Sequence, residues 1–82
     1  MKHFDYTLYY RPDCPYCVKV LNYIKSNNIE LAMKNTNQPG NREELIEVGG
    51  KPQVPCLYHD DQALYESMDI IQFLGSKIEG ED

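Results

Sequence analysis

The feature that most constrains this chain is a pair of cysteines at the junction of two hydrophobic patterns. In residues 4–10 every second side chain is a large apolar or aromatic one, and this period of two predicts a β-strand. From Cys17 to Ile24 the apolar residues recur at helical spacing. Pro15 is favoured at the first position of a helix, because its missing N–H would have no partner there. Cys14 therefore lies where a strand gives way to a helix.

This placement has a chemical consequence for Cys14. The unpaired N–H groups and the positive end of the helix dipole stabilise an anion, so they favour the thiolate. Thiols in such motifs have a pKa of roughly 3.5–7.5, against about 8.5 for a free cysteine. Arg11 adds positive charge, whereas Asp13 opposes it. Cys17, one turn into the helix, should be less exposed and less polarised, so we interpret Cys14 as the attacking thiol and Cys17 as the resolving thiol.

Metal binding and inert packing are the alternatives for these cysteines. A Cys-x-x-Cys pair can be half of a zinc site, and Cys56 and His59 could complete it. However, strand residues three apart point to opposite faces, and a pair between a strand and a helix favours redox chemistry. Cys56 alone is either a buried small apolar residue or a thiol close enough to the dithiol to be oxidised or glutathionylated.

Composition limits the function further. The chain has 82 residues, 41% hydrophobic and 26% charged, which predicts one globular domain. A net charge of −5 without a basic cluster argues against nucleic-acid and membrane partners. No run of 18 apolar residues occurs, and we expect neither a signal peptide nor a spanning helix. A domain stapled by disulfides normally has an even and larger number of cysteines than the three found here, so we expect a cytoplasmic protein. We also expect a monomer.

The remaining patterns predict the element order β-α-β-α-β-β-α. Such an order gives an α/β fold with a mixed four-stranded sheet, parallel in one half and antiparallel in the other, covered by helices. Ser67 is a good N-cap for the last helix. After the first strand, the expected elements are a helix from Pro15 to about Lys25, a strand Ile29–Lys34, a helix Arg42–Val48, strands Val54–His59 and Ala63–Glu66, and a final helix after Ser67.

The chain resembles the glutaredoxins, a branch of the thioredoxin fold. The resemblance is carried by Tyr-Tyr-Arg-Pro-Asp-Cys-Pro-Tyr-Cys at residues 9–17 and by Val54-Pro55, in the family order and spacing. It covers nearly the whole chain, and Cys-Pro-Tyr-Cys is highly specific for dithiol glutaredoxins. It implies a single glutaredoxin-like domain over residues 1–82, with Pro55 in the cis form facing the dithiol.

Two places depart from the glutaredoxin pattern: Cys56 follows Val54-Pro55 where glutaredoxins commonly have glutamine, and residues 65–69 differ as well. Glutaredoxins tend to bind the γ-glutamyl end of glutathione with Gly-Gly-x-Asp-Asp, whereas residues 65–69 here are Tyr-Glu-Ser-Met-Asp. This Glu-Ser pair before a helix resembles the N-terminal domain of glutathione S-transferases. We do not expect a full transferase, because the sequence has no counterpart of that family's long helical second domain.

The resemblance implies glutathione as co-substrate, with no tightly bound cofactor and no metal. Arg11 with Lys51 or Gln53 would meet the glycyl carboxylate, although either basic residue could equally be a solvated surface charge. Ser67 could hold the other carboxylate at a helix N-terminus or act only as a cap. The implied glutathione-binding residues are Arg11, Tyr16, Lys51, Gln53, Val54, Pro55, Glu66, Ser67 and Asp69.

The predicted function is that of a glutathione-dependent thiol–disulfide oxidoreductase. It would reduce disulfide-containing or glutathionylated client proteins through Cys14 and Cys17, as part of cellular redox homeostasis. One alternative is an electron donor reduced by a thioredoxin reductase instead of glutathione. The other is a non-catalytic module that binds a metal or an iron–sulfur cluster through Cys14, Cys17 and Cys56.

Overall fold

The alternating pattern at the start of the chain forms the strand β1, around which the sheet is built. The computed structural model describes residues 2–80, with the side chains of residues 3–79. No helix in this range is long and apolar enough to cross a membrane. The elements are β1 (Lys2–Tyr10), α1 (Pro15–Ser26), β2 (Ile29–Asn35), α2 (Asn41–Gly49), β3 (Cys56–His59), β4 (Gln62–Leu64) and α3 (Ser67–Gly80).

The four strands form one mixed sheet in the order β2-β1-β3-β4. β1 runs parallel to β2, as expected for strands joined by the crossover helix α1, and antiparallel to β3. β3 and β4 form a hairpin closed by Asp60 and Asp61, both in the left-handed region at φ 47° and 63°. The predicted element order and the mixed sheet of an α/β thioredoxin-like fold are therefore confirmed.

Both faces of the sheet are covered, which places the two neighbours Leu8 and Tyr9 in separate cores. Leu8 is fully buried with Leu57 beneath the helices α1 and α3. Tyr9, only 2% exposed, packs on the opposite face with Leu45 and Cys56, beside α2. The alternation thus places Tyr9 on the face opposite to Leu8, and because α2 covers that face, both residues are buried.

The helices and β2 end within one residue of their predicted bounds, but the last strands are shorter than expected. β3 begins at Cys56 instead of Val54, and β4 ends at Leu64, two residues before the predicted end. Tyr65 and Glu66, the two residues that precede α3, are thus not part of a strand. Glu66, not Ser67, takes the N-cap position, because its carbonyl accepts the hydrogen bond from Ile70 N–H at 2.9 Å. Ser67 is the first residue of α3.

A polar contact fastens α2 to the sheet. The Tyr9 hydroxyl donates to Glu44 Oε2 at 2.6 Å, and the Lys34 ammonium donates to the same oxygen. These hydrogen bonds, the one from Lys34 first, lower the pKa of Glu44. Burial, followed by the hydrogen bond to Glu44, raises the pKa of Tyr9. The carboxylate is therefore the shared acceptor that satisfies a hydroxyl on an almost fully buried residue.

We predict that Glu44→Ala lowers the free energy of unfolding by about 1–3 kcal/mol, because the hydroxyl of Tyr9 loses its acceptor inside the core. Glu43→Ala, at the neighbouring exposed position of α2, should change it by less than about 0.5 kcal/mol. Since the folded pKa of Glu44 is lowered, its contribution is present at neutral pH and is lost as pH falls through that pKa. Urea denaturation from pH 7 to pH 3 measures both effects. Equal losses in the two variants would contradict this role.

Candidate functional site

Cys14 lies at the start of α1, where the chain turns out of the central strand. Its backbone is extended at φ −97° and ψ 121°, and its carbonyl accepts the hydrogen bond from Val18 N–H at 2.9 Å, so it occupies the N-cap position. Pro15 is the first helical residue, as the sequence predicted. The residue is only 7% exposed, so its sulfur sits at the tip of the helix and not on open surface.

The surroundings of Cys14 favour its thiolate. Burial alone would raise the pKa of the thiol. Four groups outweigh burial: the backbone N–H of Cys17, the thiol of Cys17, the backbone N–H of Tyr16 and the charge of Arg11. The pKa of Cys14 is therefore lowered, and the helix end supplies most of the groups that lower it.

Cys17 is in the opposite state. It is fully buried, and burial raises its pKa to about 11, with the nearby Cys14 raising it further. The backbone N–H of Arg11 points at its sulfur, 3.5 Å away, which opposes that shift without reversing it. At neutral pH Cys17 is thus a protonated thiol that can donate a hydrogen bond to the Cys14 thiolate. The pair thus combines a thiol whose pKa is lowered with one whose pKa is raised.

Arg11 and Asp13 flank the dithiol on the exposed side. Arg11 Nε lies 3.7 Å from Asp13 Oδ1, and both side chains are well exposed. Such a pair contributes little to stability. Its effect on the site is that the guanidinium of Arg11 offsets the negative charge of Asp13.

A pocket of about 280 Å³ opens between the start of α1, the segment before β3 and the start of α3. The Val54–Pro55 peptide bond in its wall is cis, as the resemblance implied. The two helices contribute Tyr16 and Ser67, so two helix N-termini meet at this cavity. The lining residues are Tyr16, Gln53, Val54, Pro55, Tyr65, Glu66 and Ser67.

The pocket gathers most of the residues that the resemblance assigned to glutathione. Arg11, Lys51 and Asp69 do not form part of its wall; all three are exposed, and Arg11 stands beside the dithiol instead. Ser67 is 7% exposed and so is the buried polar residue of the wall. The predicted residues that line the pocket are Tyr16, Gln53, Val54, Pro55, Glu66 and Ser67.

Tyr65 lines the pocket although sequence reasoning did not single it out. Its hydroxyl donates to the carbonyl oxygen of Lys51 at 3.0 Å, and the Lys51 ammonium lies 4.6 Å from the centre of its ring. The sequence pattern placed Tyr65 inside a strand, where it would be one more alternating aromatic residue. Its position directly before the Glu-Ser pair was the signal that could have identified it.

The fourfold metal site considered for Cys14, Cys17, Cys56 and His59 is not formed. Cys56 is fully buried on the α2 face of the sheet, and burial raises the pKa of its thiol to about 11. His59 instead stacks on Phe73 of α3, with 4.1 Å between ring centres. Over residues 2–80, no three His, Cys, Asp or Glu side chains are close enough together to hold a metal ion.

The fold and the site together define a thioredoxin-fold domain with a dithiol at the start of its first helix. A family model, described as the N-terminal domain of glutathione S-transferases, matches residues 8–82. The chain belongs to this family. A search of curated proteins finds no match.

Solved structures agree with this assignment. Glutathione transferase Omega 3C from Trametes versicolor superposes with a TM-score of 0.80 at 22% identity, covering 93% of this chain and 34% of that one. Glutaredoxin 2 from Salmonella typhimurium, solved with glutathione, gives 0.69 at 31% identity, with coverages of 84% and 32%. The thioredoxin-like protein BC3987 gives 0.71 at 24% identity and is covered over 97% of its length. The chain thus spans about a third of the first two proteins.

We predict that Cys14 is the fast-reacting thiol of the folded protein. Alkylation with iodoacetamide across a pH series, with the modified residue identified by mass spectrometry, should give Cys14 an apparent pKa below the ordinary value of about 8.5. Cys17 and Cys56 are fully buried with pKa values of about 11, so they should react only after unfolding. A Cys14 that titrates like a free thiol, or reacts no faster than the other two, would contradict this assignment.

Proposed function

We propose that this domain is a glutathione-dependent thiol–disulfide oxidoreductase of the glutaredoxin type. The observation that carries the proposal is the opposite setting of the two thiols on either side of Pro15-Tyr16, with the pKa of Cys14 lowered, that of Cys17 raised to about 11, and Tyr16 in the wall of the pocket. An attacking thiol must be a thiolate, and a resolving thiol must wait until the first bond has formed. The similarity to glutaredoxin 2, which was solved with glutathione, supports glutathione as the co-substrate.

The pocket offers complementary groups for this tripeptide. The backbone N–H groups at the start of the 14-residue helix α3 and the hydroxyl of Ser67 favour a carboxylate of glutathione. Glu66 can meet the ammonium at the same end of the tripeptide. The backbone of Val54, just before β3, would pair with the cysteinyl part in the manner of an added strand. We assign Arg11, Lys51 and Asp69 roles at the edge of the pocket, because none of them lines its wall.

The first proposed route removes glutathione from a client protein. The Cys14 thiolate attacks the glutathionyl sulfur of the mixed disulfide, a Cys14–glutathione disulfide forms, and the client leaves as its thiolate. A second glutathione thiolate then attacks the bound glutathionyl sulfur. Oxidised glutathione leaves and Cys14 returns as the thiolate, so this route uses no other cysteine.

The second route reduces a disulfide within a client and requires Cys17. The Cys14 thiolate forms a mixed disulfide with one client sulfur and releases the other as a thiolate. Cys17 then loses its proton, attacks the Cys14 sulfur and displaces the remaining client thiolate. Two molecules of glutathione reduce the resulting Cys14–Cys17 disulfide and leave as oxidised glutathione. Because this cycle needs a reducing supply of glutathione, we propose that the domain works in the cytoplasm. We also propose that it works as a monomer.

We predict that Cys14→Ser abolishes both routes, whereas Cys17→Ser keeps deglutathionylation and loses reduction of client disulfides. The reason is that only the second route passes through Cys17. A coupled assay with glutathione, glutathione reductase and NADPH on a small glutathione mixed disulfide measures the first route. Reduction of insulin disulfides in the same coupled system measures the second.

Cys56→Ala is the control, because its buried thiol with a pKa of about 11 takes no part in either route. It should retain both activities. Activity remaining in Cys14→Ser would refute the role of Cys14. Activity that appears with thioredoxin reductase but not with glutathione would favour the electron donor that does not use glutathione.

We predict that Ser67→Ala weakens binding of S-methylglutathione, an analogue that cannot exchange disulfides, by about ten- to hundred-fold. The variant loses one hydrogen bond to a charged group but keeps the backbone N–H groups of the helix start. Isothermal titration calorimetry measures the dissociation constant. Ser76→Ala is the matched control, since Ser76 lies on the same helix, exposed and away from the pocket. Equal affinities for the two variants would show that Ser67 acts only in the helix.

A further inference from the structure

The segment between α2 and the pocket is held by one side chain, Tyr65. Its hydroxyl donates to the backbone oxygen of Lys51 at 3.0 Å, while the ammonium of Lys51 lies 4.6 Å from the centre of its ring. Backbone and side chain of the same residue are thus both fixed by Tyr65. Two residues further along, Gln53 enters the pocket wall, in which Tyr65 itself takes part.

Gly49, the last residue of α2, makes this contact possible. A Cβ at Gly49 would lie 2.1 Å from Tyr65 Oη and 3.1 Å from Cζ, so the hydroxyl occupies the space that any other residue would fill. Gly49 is not among the glycines with positive φ, unlike its neighbour Gly50 at φ 92°. The glycine is therefore required for close approach and not for backbone conformation.

The charge that Tyr65 holds in place is available to a ligand. In the part of the chain that the structure describes, Lys51 forms no ion pair with a carboxylate, and its side chain is exposed. An ammonium over an aromatic face keeps its capacity to attract an anion while its position is restricted. The result is a fixed cation beside a ring that forms part of the pocket wall.

We infer that Tyr65 is a positioning residue for the glutathione pocket. With its hydroxyl in the space that Gly49 leaves, Tyr65 holds Lys51 and Gln53 where they meet an anionic end of the tripeptide. The inference rests on the function proposed above and adds a residue to it. Tyr65 acts through Lys51 and Gln53, so its loss should weaken binding without altering the chemistry at Cys14. That separation distinguishes positioning from a general structural role.

The test uses Tyr65→Phe, Gly49→Ala and the double variant, titrated with S-methylglutathione. Tyr65→Phe should raise the dissociation constant about five-fold, the effect of one hydrogen bond. Gly49→Ala should raise it more, because the added Cβ displaces the whole ring. In the double variant the constant should fall back towards the Tyr65→Phe value, because the hydroxyl 2.1 Å from the Cβ is gone and the ring carbon at 3.1 Å requires only a small shift. The pH profile of Cys14 alkylation should stay unchanged in all three.

A second glycine–tyrosine pair provides a matched control. A Cβ at Gly75 of α3 would lie 2.9 Å from the Tyr23 hydroxyl of α1, away from the pocket. Gly75→Ala and Tyr23→Phe can change the free energy of unfolding but should leave the dissociation constant at the wild-type value. An equal loss of affinity in Gly75→Ala would attribute the effect at Gly49 to stability and overturn the inference.

The remaining outcomes separate the two proposals. Wild-type affinity in both Tyr65→Phe and Gly49→Ala would overturn the positioning role while the proposed function stands. An undiminished defect in the double variant would also overturn it, since the hydroxyl would not be the cause. If the wild-type protein itself does not bind S-methylglutathione, the proposed function fails and the inference fails with it.

Discussion

The site depends on lowering the pKa of a buried thiol at the tip of a helix. Burial by itself raises the pKa of a thiol, and Cys14 is only 7% exposed. The pKa is lowered because α1 begins immediately after Cys14, so the N–H groups of its first turn have no carbonyl partners and favour an anion at this position. This placement of Cys14 at the helix start depends on β1, which is packed on both faces and therefore leads into α1 in a fixed direction.

Comparison of the three cysteines shows that exposure does not decide which of them is reactive. All three are buried, yet the pKa is lowered for Cys14 and raised to about 11 for Cys17 and Cys56. The difference lies in the donors around each sulfur. At Cys14 the helix end, the neighbouring thiol and Arg11 together outweigh burial, whereas at Cys56 burial outweighs the Tyr65 hydroxyl, the Leu64 N–H and the Lys51 charge. A single fold thus shifts the pKa of identical residues in opposite directions.

The sequence predicted those features that depend on local chemistry and regular spacing. The strand–helix junction at Cys14, the element order and most of the pocket wall follow from periodicity, proline placement and the glutaredoxin resemblance. The sequence did not predict features that depend on contacts between segments distant in the chain. The burial of Tyr9 depends on the way α2 crosses the sheet, and the contact of Gly49 with Tyr65 joins residues that no periodic pattern relates. The end of strand β4 was placed two residues too late for a similar reason, because pairing in the sheet ends before the aromatic alternation does.

The electrostatics of the pocket differ from those of the chain as a whole. The chain carries a net charge of −5, which acts over the whole surface and is screened within about 10 Å at moderate salt. At the pocket, the starts of α1 and α3 contribute Tyr16 and Ser67 to the wall, the Lys51 ammonium lies over the ring of Tyr65, and the carboxylate of Glu66 belongs to the wall as well. The positive ends of two helices and one positive side chain thus lie near one negative side chain. The net charge of the chain therefore does not give the local charge of the pocket, and the composition argument against nucleic acid does not extend to a small anionic ligand.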